Sequence, residues 1–324
     1  MTAYFTARVL GLAALLVAHA ACAQSYPARP ITLVVPFAAG ASADGIARVL
    51  AKDMSASLGQ PVVVENKPGG GGAVGLIVVS HAKPDGYTLG LGATGAIAVN
   101  PHLPGASPLK PDQDLAAVAK LANVPLVMVA GKATGYASLK ALFEKAGSKP
   151  GEALIYGTPG QYTAQHLAGE LIGEMAGMKM SAVPYRGSGP AVTDVLGGQI
   201  GLAVVDLTSA YPHVKSGALI ALGVTSAQRT KVAPDLPTIA EGGLAGYDAP
   251  AWMGLFGPAG LPPAVANKVA DAVREALGKP AVQQQVIGLA AEPDYADAEH
   301  FAAFTRAESQ RWGQLLQSIS VSRQ

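Results

Sequence analysis

Short apolar runs alternate with amphipathic stretches along most of the chain. Ile31-Thr32-Leu33-Val34-Val35 predicts a buried strand, closed by Pro36. A turn of small residues follows, then a helix with Ile46, Leu50, Met54 and Leu58 on one stripe, ended by Gly59. Val62-Val63-Val64 predicts a second strand that stops at Glu65-Asn66, and residues 73–81 a second helix. After the Pro84-Asp85-Gly86 turn, Thr88-Leu89-Gly90-Leu91 predicts a third strand, ending at Ala93-Thr94-Gly95. Strand, helix, strand, helix, strand reads as a doubly wound, largely parallel sheet.

New material repeats the pattern. Strands are expected over 126–129, 153–156, 180–183, 200–205 and 220–224. Helices are expected between them, with Ser138 and Thr163 as caps and Gly187-Ser188-Gly189-Pro190 opening a third. The tail differs, with one strand over 252–256, a long helix after Pro262-Pro263, and another from Phe301 towards Ile319. A lone strand with helices cannot make its own parallel sheet, so the tail is expected to pack back on the first domain. The expected organisation is residues 26–123 with 229–324 as a discontinuous first α/β domain and 124–228 as the second. Two crossovers then form a hinge, and a hinged pair of lobes encloses a cleft.

The amino terminus changes the compartment. Arg8 is the only charged residue before Arg29; an apolar run and Ala21-Cys22-Ala23 follow it. That is a secretory signal over residues 1–23, cleaved after Ala23, and it predicts a periplasmic protein. The run is too short to span a bilayer, and no later stretch is long and apolar enough, so stable membrane insertion is not expected. Cys22 is the sole cysteine, which excludes an intramolecular disulfide. The alternative of a lipid-anchored Cys22 meets a histidine, His19, where a lipoprotein signal wants a leucine-like residue. The formal charge is +1 and falls to zero without Arg8, so no nucleic-acid partner is expected.

Ligands of open α/β sheets sit beyond the carboxyl ends of the strands. Phe37, Ala39, Gly40, Ala41 and Ser42 lie there, leading into a helix whose free N–H groups suit a carboxylate. A tight turn with no ligand is the plainer reading of that loop. Asp44, in the helix's first turn, either stabilises the helix end or receives a ligand hydroxyl or ammonium. Thr94, Gly95, Gln161, Tyr162, Thr163, Gly187, Ser188 and Asp206 occupy the other strand ends. The first loop lacks G-x-G-x-x-G, no G-x-x-x-x-G-K-S/T lies near it, and Gly69 to Gly72 reads as a flexible or close-packed connection. The histidines show no metal-ligand spacing, Gly187-Ser188-Gly189 is not a nucleophile elbow, and no cofactor, metal or catalytic residue is expected.

Longer motifs point further. Val35-Pro36-Phe37-Ala38-Ala39-Gly40 with Asp44, Gly59-Gln60-Pro61-Val62-Val63-Val64-Glu65-Asn66, and Pro84-Asp85-Gly86-Tyr87-Thr88-Leu89 occur in order. Val183-Pro184-Tyr185-Arg186-Gly187-Ser188-Gly189-Pro190 and Gly254-Leu255-Phe256-Gly257-Pro258-Ala259-Gly260 follow. The chain resembles the substrate-binding proteins of tripartite tricarboxylate transporters, the Bug or TctC family of extracytoplasmic solute receptors, over nearly all of residues 26–320. The resemblance implies a periplasmic type II binding fold with a venus-flytrap cleft and a small mono- or dicarboxylate ligand. It also implies transient partnership with the membrane permease subunits of such a transporter. It implies ligand contact by the loop from Phe37 to Asp44, mostly through backbone groups and water, closure by the loops at Thr94-Gly95, Gln161 to Thr163 and Gly187-Ser188, and Asp206 near the cleft.

Two positions depart from the family pattern. Ala41 and Tyr162 stand where glycine is common, and Tyr162 is free to fill the pocket, stack on a ring or donate a hydrogen bond. A monomer is expected. An enzyme, such as a hydrolase or transferase on the same two-lobed fold, and a ligand-presenting sensory partner are the alternatives. For anion binding, the expectation favours backbone N–H groups of residues 40–42 and the Thr163 loop over the guanidinium of Arg186.

Overall fold

A computed structural model describes residues 26–147 and 151–318. The expected signal segment, Cys22 and the cleavage point after Ala23 lie outside the described residues.

The chain opens with β1 (Ile31–Val35), α1 (Ser42–Leu58), β2 (Val62–Asn66), α2 (Ala73–Ser80) and β3 (Thr88–Ala93). The predicted stripe of α1 is its buried face, with Ile46, Leu50, Met54 and Leu58 all inside. Burying each contributes about 2 kcal/mol. Gly59 ends α1 in the left-handed conformation that glycine adopts without a Cβ clash. Next come β4 (Leu115–Asn123), β5 (Leu126–Gly131), α3 (Leu139–Gly147), β6 (Leu154–Thr158), α4 (Ala164–Ala176), β7 (Met180–Pro184) and α5 (Ser188–Leu196). Then β8 (Leu202–Asp206), α6 (Leu207–Lys215), β9 (Leu219–Val224), β10 (Trp252–Pro258), α7 (Pro263–Gly278), α8 (Pro280–Gly288), β11 (Glu292–Ala296) and α9 (Ala298–Ser318) complete the order.

The strands form two sheets, one ordered β11-β4-β10-β3-β1-β2 and the other β7-β6-β8-β5-β9. Neither is largely parallel. β1 pairs β2 and β3 in parallel, but β10 runs antiparallel to both β3 and β4. In the second sheet β5 is antiparallel to β8 and β9, while β6 is parallel to β7 and β8. The expectation of parallel sheets fails because strands entering from the other lobe are not bound by a helical crossover on the same sheet. β4 passes into β5 through Val124 and Pro125 alone.

Two strands of chain therefore join the lobes, and they bond to one another. The Val124 N–H donates to the Ala251 carbonyl at 2.8 Å, and the Thr225 N–H to the Leu126 carbonyl at 3.0 Å, while the Ala249 N–H closes the second connection on the Thr225 carbonyl at 2.8 Å. Val124, Thr225 and Ala249 are buried. The tail docks through aromatic packing: Trp252 meets Phe301 and Phe304 edge-on, and its indole donates to Glu308.

Candidate functional site

A cavity of about 820 Å³ opens between the lobes, at the carboxyl ends of β1, β3, β6, β7 and β8. Of the residues that the loops brought forward, Phe37, Ala41, Ser42, Thr94, Gly95, Gln161, Tyr162, Thr163, Gly187, Ser188 and Asp206 line it. Ala39, Gly40 and Asp44 do not.

Asp44 is committed elsewhere. Its carboxylate accepts from the Gly40 N–H at 3.0 Å, Asn66 Nδ2 at 2.9 Å and Arg48 Nε at 3.0 Å. Burial pushes its carboxyl up, but the hydrogen bonds from Arg48, Gly40 and Asn66, with the Arg48 charge, outweigh that and hold it below its ordinary value. The expectation that the Gly40 N–H cradles an anion is therefore corrected: Asp44 already takes that donor, and the Ala41 N–H goes to the Ala38 carbonyl at 3.1 Å. The open donors lie one step on. Ser42 and Ala43 begin α1, and Ala164 and Gln165 begin α4, where a helix leaves its first N–H groups without intrahelical acceptors. All four residues line the cavity, one pair from each lobe.

Asp206 ends β8 and is buried at the junction of the lobes. Its Oδ2 accepts from Ser42 Oγ at 3.0 Å, across the cleft, and from Ser188 Oγ at 2.9 Å. Its Oδ1 accepts from the Gln165 amide. Burial pushes this carboxyl up, and the hydrogen bonds from Ser188, Ser42 and Gln165 only partly counter it. Among the described residues it is the sole acidic one lining the cavity, and Arg186 is the sole lysine or arginine there.

The loop after β6 supplies the second wall. Thr163 caps α4, its hydroxyl accepting from the His166 N–H at 3.3 Å and donating to the Gly160 carbonyl at 2.8 Å. His166 Nδ1 accepts from the Tyr162 N–H at 3.2 Å, which makes that nitrogen the unprotonated one. Burial lowers the His166 pKa to about 4, so the ring is neutral at neutral pH. Thr94 is turned inward: its hydroxyl accepts from the Trp252 N–H at 2.9 Å and ties β3 to β10.

The lobes touch through glycines. A Cβ on Gly95 would lie 2.8 Å from the Tyr162 carbonyl oxygen, and one on Gly71 would lie 2.9 Å from the Gln161 carbonyl oxygen. The glycine run from 69 to 72 is thus a close-packed connection, and it also lines the cavity. Sequence reasoning missed that lining role, and it missed Gln165. The signal for Gln165 was its place two residues after the Thr163 cap, at an exposed helix end. Among the described residues there is no group of three or more His, Cys, Asp or Glu side chains suited to a metal ion.

Comparisons with known proteins agree with this geometry. The family model described as "Tripartite tricarboxylate transporter family receptor" matches residues 46–321. Protein BugT of Bordetella pertussis is 37% identical over 291 residues, covering 90% of this chain and 89% of that protein. The R. palustris protein Rpa4515, solved with adipate, superposes with a TM-score of 0.85 at 31% identity, covering 91% of this chain and 98% of that one. MatC (Rpa3494) from Rhodopseudomonas palustris, with bound malate, gives 0.83 at 30% identity over 90% and 99% of the two chains.

Proposed function

Since the chain belongs to the tripartite tricarboxylate transporter family of receptors, we propose that its cleft captures a small mono- or dicarboxylate for delivery to the membrane permease subunits of such a transporter. It is an extracytoplasmic binding protein and not an enzyme. One observation carries the ligand class: the N-terminal ends of α1 and α4, from opposite lobes, and Arg186 all line one cavity. Open N–H groups at a helix start, with the positive end of the helix dipole, stabilise an anion without a dedicated cation. Two relatives solved with adipate and malate support the same class.

In this reading the lining residues named above hold the ligand, with Gln165 and Arg186 added. Ala39, Gly40 and Asp44 shape the loop from behind. The lobes divide at residues 123/124 and 228/229, the mature chain starts after Ala23, and the protein works as a monomer.

A thermal-shift titration with malate and adipate tests the reading, because a ligand that binds only the folded state raises the melting temperature with its concentration. The expected result is a concentration-dependent rise for a carboxylate. No rise with any carboxylate at millimolar concentration refutes the proposal.

A further inference from the structure

We infer that Tyr162 selects the ligand, its ring favouring carboxylates that carry a planar aromatic body; this rests on the carboxylate reading above. The residue has a φ of 61°, in the left-handed region that a side chain with a Cβ disfavours. The surrounding structure enforces that conformation. The Tyr162 N–H donates to His166 Nδ1 at 3.2 Å. The Tyr162 carbonyl accepts from the Asn100 side-chain amide at 3.1 Å, in the amide orientation that also bonds the Gly95 carbonyl at 3.2 Å. Gly95 and Gly71 press on the same carbonyl from the other lobe, leaving no room for a Cβ on either.

All of these constraints act on the backbone. A glycine at 162 satisfies every one of them without strain, so the loop's shape does not explain a tyrosine. Core packing does not explain it either. The residue is half-buried and lines the cavity, and its ring meets His166 only edge-on at 6.2 Å between centroids. Its hydroxyl has no hydrogen-bond partner among the described residues. A strained conformation kept at a cleft, where a better residue exists for the backbone, points to the side chain's use by a ligand.

Phe37 lines the same cavity from the other lobe. A Cβ on Gly72 would lie 3.4 Å from Phe37 Cζ, and one on Gly71 would lie 3.2 Å from the Tyr162 carbonyl oxygen. The Phe37 ring and the backbone of the Tyr162 loop thus meet consecutive glycines, and both residues line the one cavity. An aromatic ligand in the cavity that both residues line gains offset or edge contacts with their rings, while Arg186 and the helix starts take its carboxylate.

Calorimetry with benzoate and adipate on wild-type protein, Tyr162→Gly, Tyr162→Ala and Tyr162→Phe tests the inference. The ratio of benzoate to adipate affinity is expected to fall roughly three- to tenfold in the Gly and Ala variants, the scale of one aromatic contact. Tyr162→Phe, which keeps the ring, is expected to rescue the preference. Tyr162→Gly is expected to melt at or above the wild-type temperature, which separates loss of selection from loss of fold. A ratio that is unchanged or higher in both the Gly and Ala variants overturns the inference and leaves carboxylate capture standing. A wild-type protein that binds neither acid refutes both.

Discussion

Replacing Gly95 with alanine adds one methyl group at the seam between the lobes. The backbone at Gly95 does not adopt a positive φ, so alanine fits the local conformation. The methyl carbon would lie 2.8 Å from the Tyr162 carbonyl oxygen, 3.2 Å from Thr163 Cα and 3.3 Å from the Ala164 nitrogen. All three are backbone atoms of the opposite lobe, held by the Thr163 cap and the Asn100 amide, so no side chain can swing aside. Overpacking of this kind costs about 1–3 kcal/mol. The cost falls on the closed arrangement, because opening the hinge removes the clash and leaves each lobe's core intact. A ligand enclosed by both lobes must then overcome it, which weakens affinity roughly 5- to 150-fold. The assay is calorimetry with whichever of malate or adipate the wild-type protein binds, together with small-angle scattering for the radius of gyration. Gly189→Ala is the matched control, since a Cβ there meets nothing within 4 Å. The expected result is weaker binding and a more open particle for Gly95→Ala alone. Wild-type affinity in Gly95→Ala refutes the argument that the glycine seam permits closure.

Other outcomes follow from groups around the cleft. His166 has a folded pKa of about 4 against an ordinary 6.5, so the unfolded chain takes up the proton first as pH falls. Stability is full above pH 6.5 and is lost on acidification from 6.5 towards 4, on the order of 3 kcal/mol; urea unfolding across that window should show a flatter profile for His166→Gln. Asp44 is shifted in the same direction, below its ordinary 3.8, so it too contributes stability above that value and loses it as pH falls further. Asp44→Asn should cost about 2 kcal/mol at pH 7, and less below pH 3, by urea unfolding at both pH values. Arg186→Ala removes the one arginine among the described residues that line the cavity, and calorimetry should show carboxylate affinity lower by about tenfold with the melting temperature unchanged.

Much of the architecture was legible in local pattern. The stripe on α1, the turn at Gly59 and the Thr163 cap depend on residues a few positions apart, and the structure bears each of them out. β4 was not legible. Its sequence, LAAVAKLAN, carries alanines and a lysine that do not favour a strand. It becomes one because β10 and β11 pair on either side of it and because Asp294 takes the Lys120 ammonium at 2.7 Å. The strand direction in both sheets was also misread, since antiparallel insertion is decided where the chain crosses between lobes.

Sequence alone determined that this chain makes two α/β lobes with small polar loops at the strand ends, because helix and strand periods and turn chemistry act over short stretches of chain. It set both Asp44 and Asp206 beside such loops, reading Asp44 as either a helix-end acid or a ligand contact and Asp206 as a residue near the cleft. Only the tertiary structure separated them. Asp44 spends its oxygens on Arg48, Asn66 and the Gly40 N–H, behind the cavity wall. Asp206 stands inside the cavity and accepts from Ser42, 164 residues away on the other lobe. The glycines at 71 and 95 show the same division, ordinary small residues in the sequence but the points where two backbones meet in the fold. Contacts across that distance depend on how the lobes close on one another, and no local pattern of residues encodes that geometry.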